Sequence, residues 1–166
     1  MQKGMSRLQF MQGEWDVEAH IMGDNGQWAA TPIPKETAIY PIFEGTAHRE
    51  TMKIAYGDMV VSLFFSWSYD QYRQVYRMIS CDDQSGLMSV LEGNFIEGTD
   101  TVVIDDVRAG TSMVEAEGEA SFSQLSSSKT SEDSFTDILS ESYDKGHTWN
   151  PIFRAVHTRK KLSKNN

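Results

Sequence analysis

Short turn signals recur at strand-length intervals along almost the whole chain, and that rhythm limits the fold more than any other feature. Gly23-Asp24-Asn25-Gly26, Glu44-Gly45, Tyr56-Gly57-Asp58, Tyr69-Asp70-Gln71 and Asp82-Asp83-Gln84-Ser85-Gly86 punctuate the first half. Glu97-Gly98-Thr99-Asp100, Ala109-Gly110 and Asp144-Lys145-Gly146 follow. Glycine reaches positive φ without steric cost, and Asp or Asn side chains bond the backbone just ahead, so each is a turn with a mechanism.

Between the turns, residues alternate with period two. Trp15, Val17, Ala19 and Ile21 alternate with Asp16, Glu18 and His20. Val61, Leu63, Phe65 and Trp67 alternate with Ser62 and Ser66, and Val75, Arg77 and Ile79 with Tyr76 and Met78. Val102 with Ile104, the run Val114 to Ala120, and Phe153, Ala155 and His157 continue the pattern. β-branched and aromatic residues dominate these runs, as pleated, half-buried strands require. Short strands at regular spacing predict an all-β antiparallel sandwich or barrel.

Helix signals are few. Ser6 to Met11 fits one short turn with Ser6 as its N-cap. Gln124 to Asp133, with Ser126, Ser127 and Ser128 in a row, reads as a polar loop between two strands. The isolated glycines Gly93, Gly110 and Gly118 suggest bulges or tight barrel corners. A chain of 166 residues is the length of one domain. Residues 1–11 are expected to form the helical turn and 160–166 a flexible tail.

Gly13-Glu14-Trp15 opening the first strand after a short helix resembles the lipocalin-like barrels of the calycin group. The chain looks like an uncharacterised bacterial family of such domains. The matching features are Phe10-Met11-Gln12-Gly13-Glu14-Trp15, Ser68-Tyr69-Asp70, Leu91-Glu92-Gly93, Ser142 to Trp149, and Ala155 to Lys160. The resemblance implies a single antiparallel β-barrel of about ten strands. It also implies that the tryptophan closes one end, covered by an arginine of the last strand. Arg159 shares strand parity with Phe153, Ala155 and His157 and is the expected partner of Trp15, with Arg154 the alternative. His157 departs from the family, which commonly carries an aromatic two residues before that arginine. The family brings a fold and no established activity.

Composition removes several functions. Fifteen Lys and Arg against 24 Asp and Glu give a net charge of −9, a poor match for a phosphate backbone, so no nucleic-acid partner is expected. The single cysteine, Cys81, rules out an intramolecular disulfide and a multi-cysteine zinc site. His20, His48, His147 and His157 are scattered without metal-ligand spacing, so no metal and no cofactor is expected. A haem held by His157 would crowd the closing arginine. The start lacks the apolar run of a signal peptide. The longest apolar stretch, Met59 to Trp67, is broken by Ser62 and Ser66 and is far short of the roughly 20 residues of a membrane helix. A cytoplasmic protein without a membrane partner is the expectation.

Candidate ligand-binding residues follow from strand parity. If Arg49, Thr51 and Lys53 face solvent, His48 and Glu50 lie side by side on the cavity face, able to orient a polar group or act as base and partner. Arg77 either faces in, with Glu92 on the next strand or a ligand carboxylate as partner, or snorkels outside while Tyr76 and Met78 face in. Trp67 belongs to an aromatic-rich hairpin suited to a cavity wall. His157 completes the set. The expected function is binding of a small, largely apolar molecule. A cofactor-free isomerase or decarboxylase using His48, Glu50, Arg77 or Glu92 is the alternative. A homodimer through an outer sheet face carrying Ile152 and Val156 is a further one. No nucleophile elbow or phosphate loop is present.

Overall fold

The computed structural model describes residues 4–56, 58–114 and 118–161. A 3₁₀ helix, Met5–Met11, leads into β1 (Gly13–Met22), β2 (Trp28–Ala30) and β3 (Glu36–Ile42). A second 3₁₀ turn, Phe43–Gly45, precedes β4 (Ala47–Tyr56), β5 (Met59–Asp70), β6 (Val75–Asp82) and β7 (Met88–Phe95). The chain continues through β8 (Thr101–Asp105), β9 (Met113–Val114), β10 (Ala120–Ser131), β11 (Ser134–Ser142) and β12 (Asn150–Arg159).

Ten of these strands form a closed antiparallel barrel. Neighbours run β11-β12-β1-β3-β4-β5-β6-β7-β8-β10, and β10 pairs back onto β11 to close the ring. The short β2 and β9 sit beside β1 and β10 outside that ring. Closure leaves no ring strand with an open edge, which suits a chain whose strands are long and alternating.

Alternation places the core. Trp15, Val17 and Ala19 on β1 are buried, while Glu14, Asp16 and Glu18 between them are not. The inward set was expected to include Ile21, but this residue is 47% exposed near the open end of β1. Trp67, Tyr76, Met78, Leu91, Val102, Ile104, Phe135 and Ala155 complete the barrel core.

The helix Met5–Met11 plugs one end with the buried side chains of Met5, Leu8 and Met11. Its N-cap is Gly4, and no side chain caps it; Ser6 therefore lies inside the helix rather than at its cap. Above the plug, the Trp15 indole donates from Nε1 to Met11 O at 2.8 Å. The Arg159 guanidinium lies 4.2 Å from the Trp15 ring and donates to Gln12 O. Arg154 instead lies over Trp28. A cation over an aromatic face and two backbone carbonyls thus hold the closed end.

Two expected segment boundaries fail. The stretch Gln124 to Asp133 is not a loop: β10 runs through it to Ser131, paired on one side with β8 and on the other with β11. Two ladders of backbone hydrogen bonds override the low strand propensity of its serines. The run Val114 to Ala120 is not one strand either. β9 ends at Val114 and β10 begins at Ala120, and residues 115–117 between them, like 162–166 of the tail, lie outside the described residues.

Gly93 marks no bulge. Its ladders to Tyr76 on β6 and Ile104 on β8 run without a register shift. Its role is close approach, because a Cβ there would stand 2.1 Å from the carbonyl oxygen of Val103. Gly93→Ala must move backbone rather than a side-chain tip. Equilibrium urea unfolding should show a loss of about 2–3 kcal/mol, and a loss below about 0.5 kcal/mol would contradict this packing.

The β3–β4 seam is short. β3 pairs with β4 only at Ile39–Ile42 against Ala47–Glu50, whereas β4 stays paired with β5 along its whole length. Beside the unpaired part of this seam lies a groove of about 640 Å³. It is lined by Ile33, Pro34, Met52, Leu63 and Phe64 among others.

Candidate functional site in the barrel interior

β4 sends Arg49, Thr51 and Lys53 outward and exposed, so His48, Glu50 and Met52 point inward. His48 is fully buried and Glu50 is 6% exposed. The two face the barrel with Trp67 and Phe65, their direct cross-strand neighbours on β5. Trp67 is likewise buried.

Each polar group has a defined environment. The Gln12 amide nitrogen sits 2.7 Å from His48 Nε2. An amide nitrogen only donates, so Nε2 accepts and the imidazole proton belongs on Nδ1. That Nδ1 is buried and has no partner. Thr37, inward on β3, donates from Oγ1 to Glu50 Oε1 at 2.6 Å. From the opposite wall, β11 contributes Asp137, β12 the fully buried His157 and β10 the fully buried Ser127. Asp137 Oδ2 stands 4.0 Å from His157 Nε2, beyond hydrogen-bonding distance. Ser127 acts on the Asp137 carboxyl as a hydrogen-bond donor, and the backbone of Phe135 and of Ala155 acts on His157. His157 stacks on Phe135, with centroids 3.9 Å apart.

Burial sets the protonation states. Desolvation pushes the Glu50 carboxyl up to about 8, against a lowering from the Thr37 hydrogen bond and with a further rise from the charge of Asp137. Desolvation also raises Asp137, partly offset by His157 and by the Ser127 hydrogen bond. The same effect pushes His48 down to about 4 and lowers His157. Near neutral pH, Glu50 is largely a neutral carboxylic acid and His48 a neutral imidazole, as a medium that penalises charge demands.

Arg77 and Glu92 are not part of this interior. Tyr76 and Met78 are the buried residues of β6, and Arg77 lies on the outer face. There its Nε donates to Glu92 Oε2 at 3.1 Å, and its Nη1 lies 4.0 Å from Asp70 Oδ2. The expected partnership with Glu92 exists, but outside the wall. No guanidinium therefore converges with Glu50 inside, and the isomerase or decarboxylase arrangement built on Arg77 and Glu92 as anion anchor and acid is removed.

Sequence reasoning finds His48, Glu50, Trp67 and His157 but not Thr37, Ser127 or Asp137. Ser127 sits in a polar stretch; Asp137 interrupts the alternation of Phe135 and Leu139, a signal that could have found it. Gln12 lies in the segment that precedes Trp15, with nothing local to connect it to His48, 36 residues away.

Among the described residues, no group of three or more His, Cys, Asp or Glu side chains could hold a metal ion. No described helix is long and apolar enough to cross a membrane. No protein-family model matches the chain, and no curated protein does. Solved structures do show likeness. A redesigned β-barrel is 12% identical with a TM-score of 0.43, over 97% of this chain and 98% of its own. The structure of EF1p2_mFAP2b bound to DFHBI is 8% identical with a TM-score of 0.45, over 95% of this chain and 100% of its own.

Proposed function

We propose that this protein binds a small, largely apolar molecule inside the barrel, and that it is one of the lipocalin-like bacterial domains of unknown role. One observation carries the binding reading. His48 Nδ1 is a buried hydrogen-bond donor with no protein partner, set beside Trp67, Phe65 and Met52 in an interior that also holds Glu50, Thr37, Asp137 and His157. A core selected only for packing satisfies or removes such groups, because a buried donor left unmade costs about 1–3 kcal/mol. A ligand acceptor, or water where no ligand is bound, supplies the missing partner. The short helix before Gly13-Glu14-Trp15 and the guanidinium of Arg159 over the indole support the lipocalin-like reading.

Native mass spectrometry of gently purified protein, beside the same sample denatured, tests the proposal. A mass excess lost on denaturation is the expected result. No excess, together with no thermal shift from a panel of small amphiphiles, would overturn it. The same spectrum reports the homodimer that belongs to this proposal, paired through the outer face that carries Ile152 and Val156.

A further inference from the structure

We propose that the groove beside the β3–β4 seam docks an extended acidic segment of a partner protein, which adds to β4 as a strand. The inference concerns the barrel wall and is independent of the interior ligand.

The backbone supplies the first observation. Successive residues of a strand offer their N–H and C=O groups alternately to the two neighbours. β4 is paired on its β5 side over Ala47–Tyr56, but on its β3 side only over Ala47–Glu50. From Thr51 to Ala55, no described residue bonds the β3 side of the strand. β1 and β7 also outrun a ladder partner, but both are bonded in other ways. Beyond its pairing with β3, β1 pairs with β2, the Val17 N–H donates to Lys35 O and the Thr31 N–H donates to Ala19 O. Val90 on β7, beyond the pairing with β8, exchanges two hydrogen bonds with the Thr111 hydroxyl. The stretch of β4 has no such substitute among the described residues. A row of free N–H and C=O groups along a strand is a template for another strand.

The groove lies along that row. Its volume is about 640 Å³, and its lining comes from both sides of the gap. Ile33, Pro34 and Lys35 precede β3, while Thr51, Met52 and Lys53 belong to β4. Leu63 and Phe64 of β5 extend the apolar part. Five residues of free edge match an extended segment about 17 Å long.

Charge selects the occupant. Lys35 and Lys53 are exposed and, among the described residues, form no ion pair. The acidic groups of the same groove are already engaged. Glu36 pairs with Lys160, Asp82 accepts from the backbone of Gln84 and Ser85, and Asp83 accepts from Ser62 N. The charge left uncompensated in the groove is therefore positive. On a chain of net charge −9, most of the surface repels an acidic partner, and the two lysines localise it here. Alternation along β4 sets the partner's pattern. Thr51 and Lys53 face out and Met52 faces in, so an added strand carries its acids on the outer face and its apolar residues on the inner one.

The test is fluorescence anisotropy of fluorescein-labelled hexapeptides titrated with the full chain at pH 7. One peptide alternates valine and glutamate, and one alternates valine and lysine. Two further versions of the glutamate peptide carry backbone N-methyl groups, on every valine in one and on every glutamate in the other. The glutamate peptide should bind saturably and at least about tenfold tighter than the lysine peptide. One of the two N-methyl sets should weaken it at least about tenfold, because only alternate N–H groups face β4. Lys53→Glu should reverse the preference between the glutamate and lysine peptides, a gain that misfolding does not produce. Lys35→Glu is the second variant and should shift the preference the same way. Equal binding of the two charges, or no loss from either N-methyl set, overturns the proposal. So does the absence of binding by both peptides; self-association of the full chain that Lys53→Glu abolishes would then assign the groove to a second copy. None of these outcomes bears on a mass excess held inside the barrel, so the two readings fail separately.

Discussion

Replacing Glu50 with Gln should make the unliganded protein more stable than the native chain at pH 8, and nearly equal to it at pH 4.5. The sign follows from proton counting. In the unfolded chain this carboxyl ionises with its ordinary value of 4.5; in the barrel, desolvation holds it up to about 8. Between those values the folded state keeps a proton that the unfolded state has lost, so stability falls as pH rises. The folding constant falls roughly tenfold per pH unit, and the full window amounts to roughly 4–5 kcal/mol. The substituted amide keeps the shape and still accepts from Thr37, but has no proton to lose. His48 acts oppositely: held down to about 4, it adds stability as pH rises from there toward 6.5. It does so equally in both proteins, so it drops out of their difference. Urea unfolding of the pair at half-unit steps from pH 4.5 to 8.5 measures that difference. A difference that stays flat with pH would mean that Glu50 is ionised inside the barrel and that its site is wetter than the structure shows.

The fold was legible where one face of a strand is apolar and the other polar. β1 is the clear case: Trp15, Val17 and Ala19 against Glu14, Asp16 and Glu18 leave one solution for parity. β6 is the opposite case. Val75-Tyr76-Arg77-Met78-Ile79 is apolar on both faces, and nothing within the run says which way Arg77 points. The answer lies in the neighbours. Met78 stands between Trp67 and Leu91 on the inner face, and Arg77 between Ser68 and Glu92 on the outer one. β10 was hidden for another reason. Its serines carry no hydrophobic period, and the strand exists because β8 and β11 both offer it backbone partners.

The same physics divides the site. His48 and Glu50 were readable on the condition that Arg49, Thr51 and Lys53 face solvent, and His157 because it shares parity with Phe153 and Ala155. Asp137 interrupts the shorter alternation of Phe135 and Leu139, and the group it acts on, Glu50, lies 87 positions earlier in sequence. Cross-barrel pairing depends on strand register and shear, which periodicity within one strand does not encode.

Trp15→Ala should cost about 3–5 kcal/mol, the largest loss expected from a single truncation here, and lower the melting temperature by roughly 10 °C or more. The indole has no exposed surface. It donates to Met11 O, meets Phe135 edge-on at 4.9 Å, and carries the Arg159 guanidinium on its face. Truncation leaves a cavity that the closed ring of strands cannot collapse around. It also leaves the guanidinium with Gln12 O and Asp133 but no ring beneath it. Trp15→Phe separates the terms: it restores most of the apolar area and loses the Nε1 bond, and should cost about 1–2 kcal/mol. The effect should not stop at stability. The Trp15 ring also stands edge-on to His157, with centroids 6.4 Å apart, and Gln12, which holds the His48 ring, is anchored by the same arginine. The plug is therefore the floor of the polar site, and Trp15→Ala should weaken binding along with folding. Lys53→Ala, at the rim of the groove, should change neither by more than about 0.5 kcal/mol. A Trp15→Ala protein that loses less than about 1 kcal/mol would show that the strands hold the barrel shut without the tryptophan.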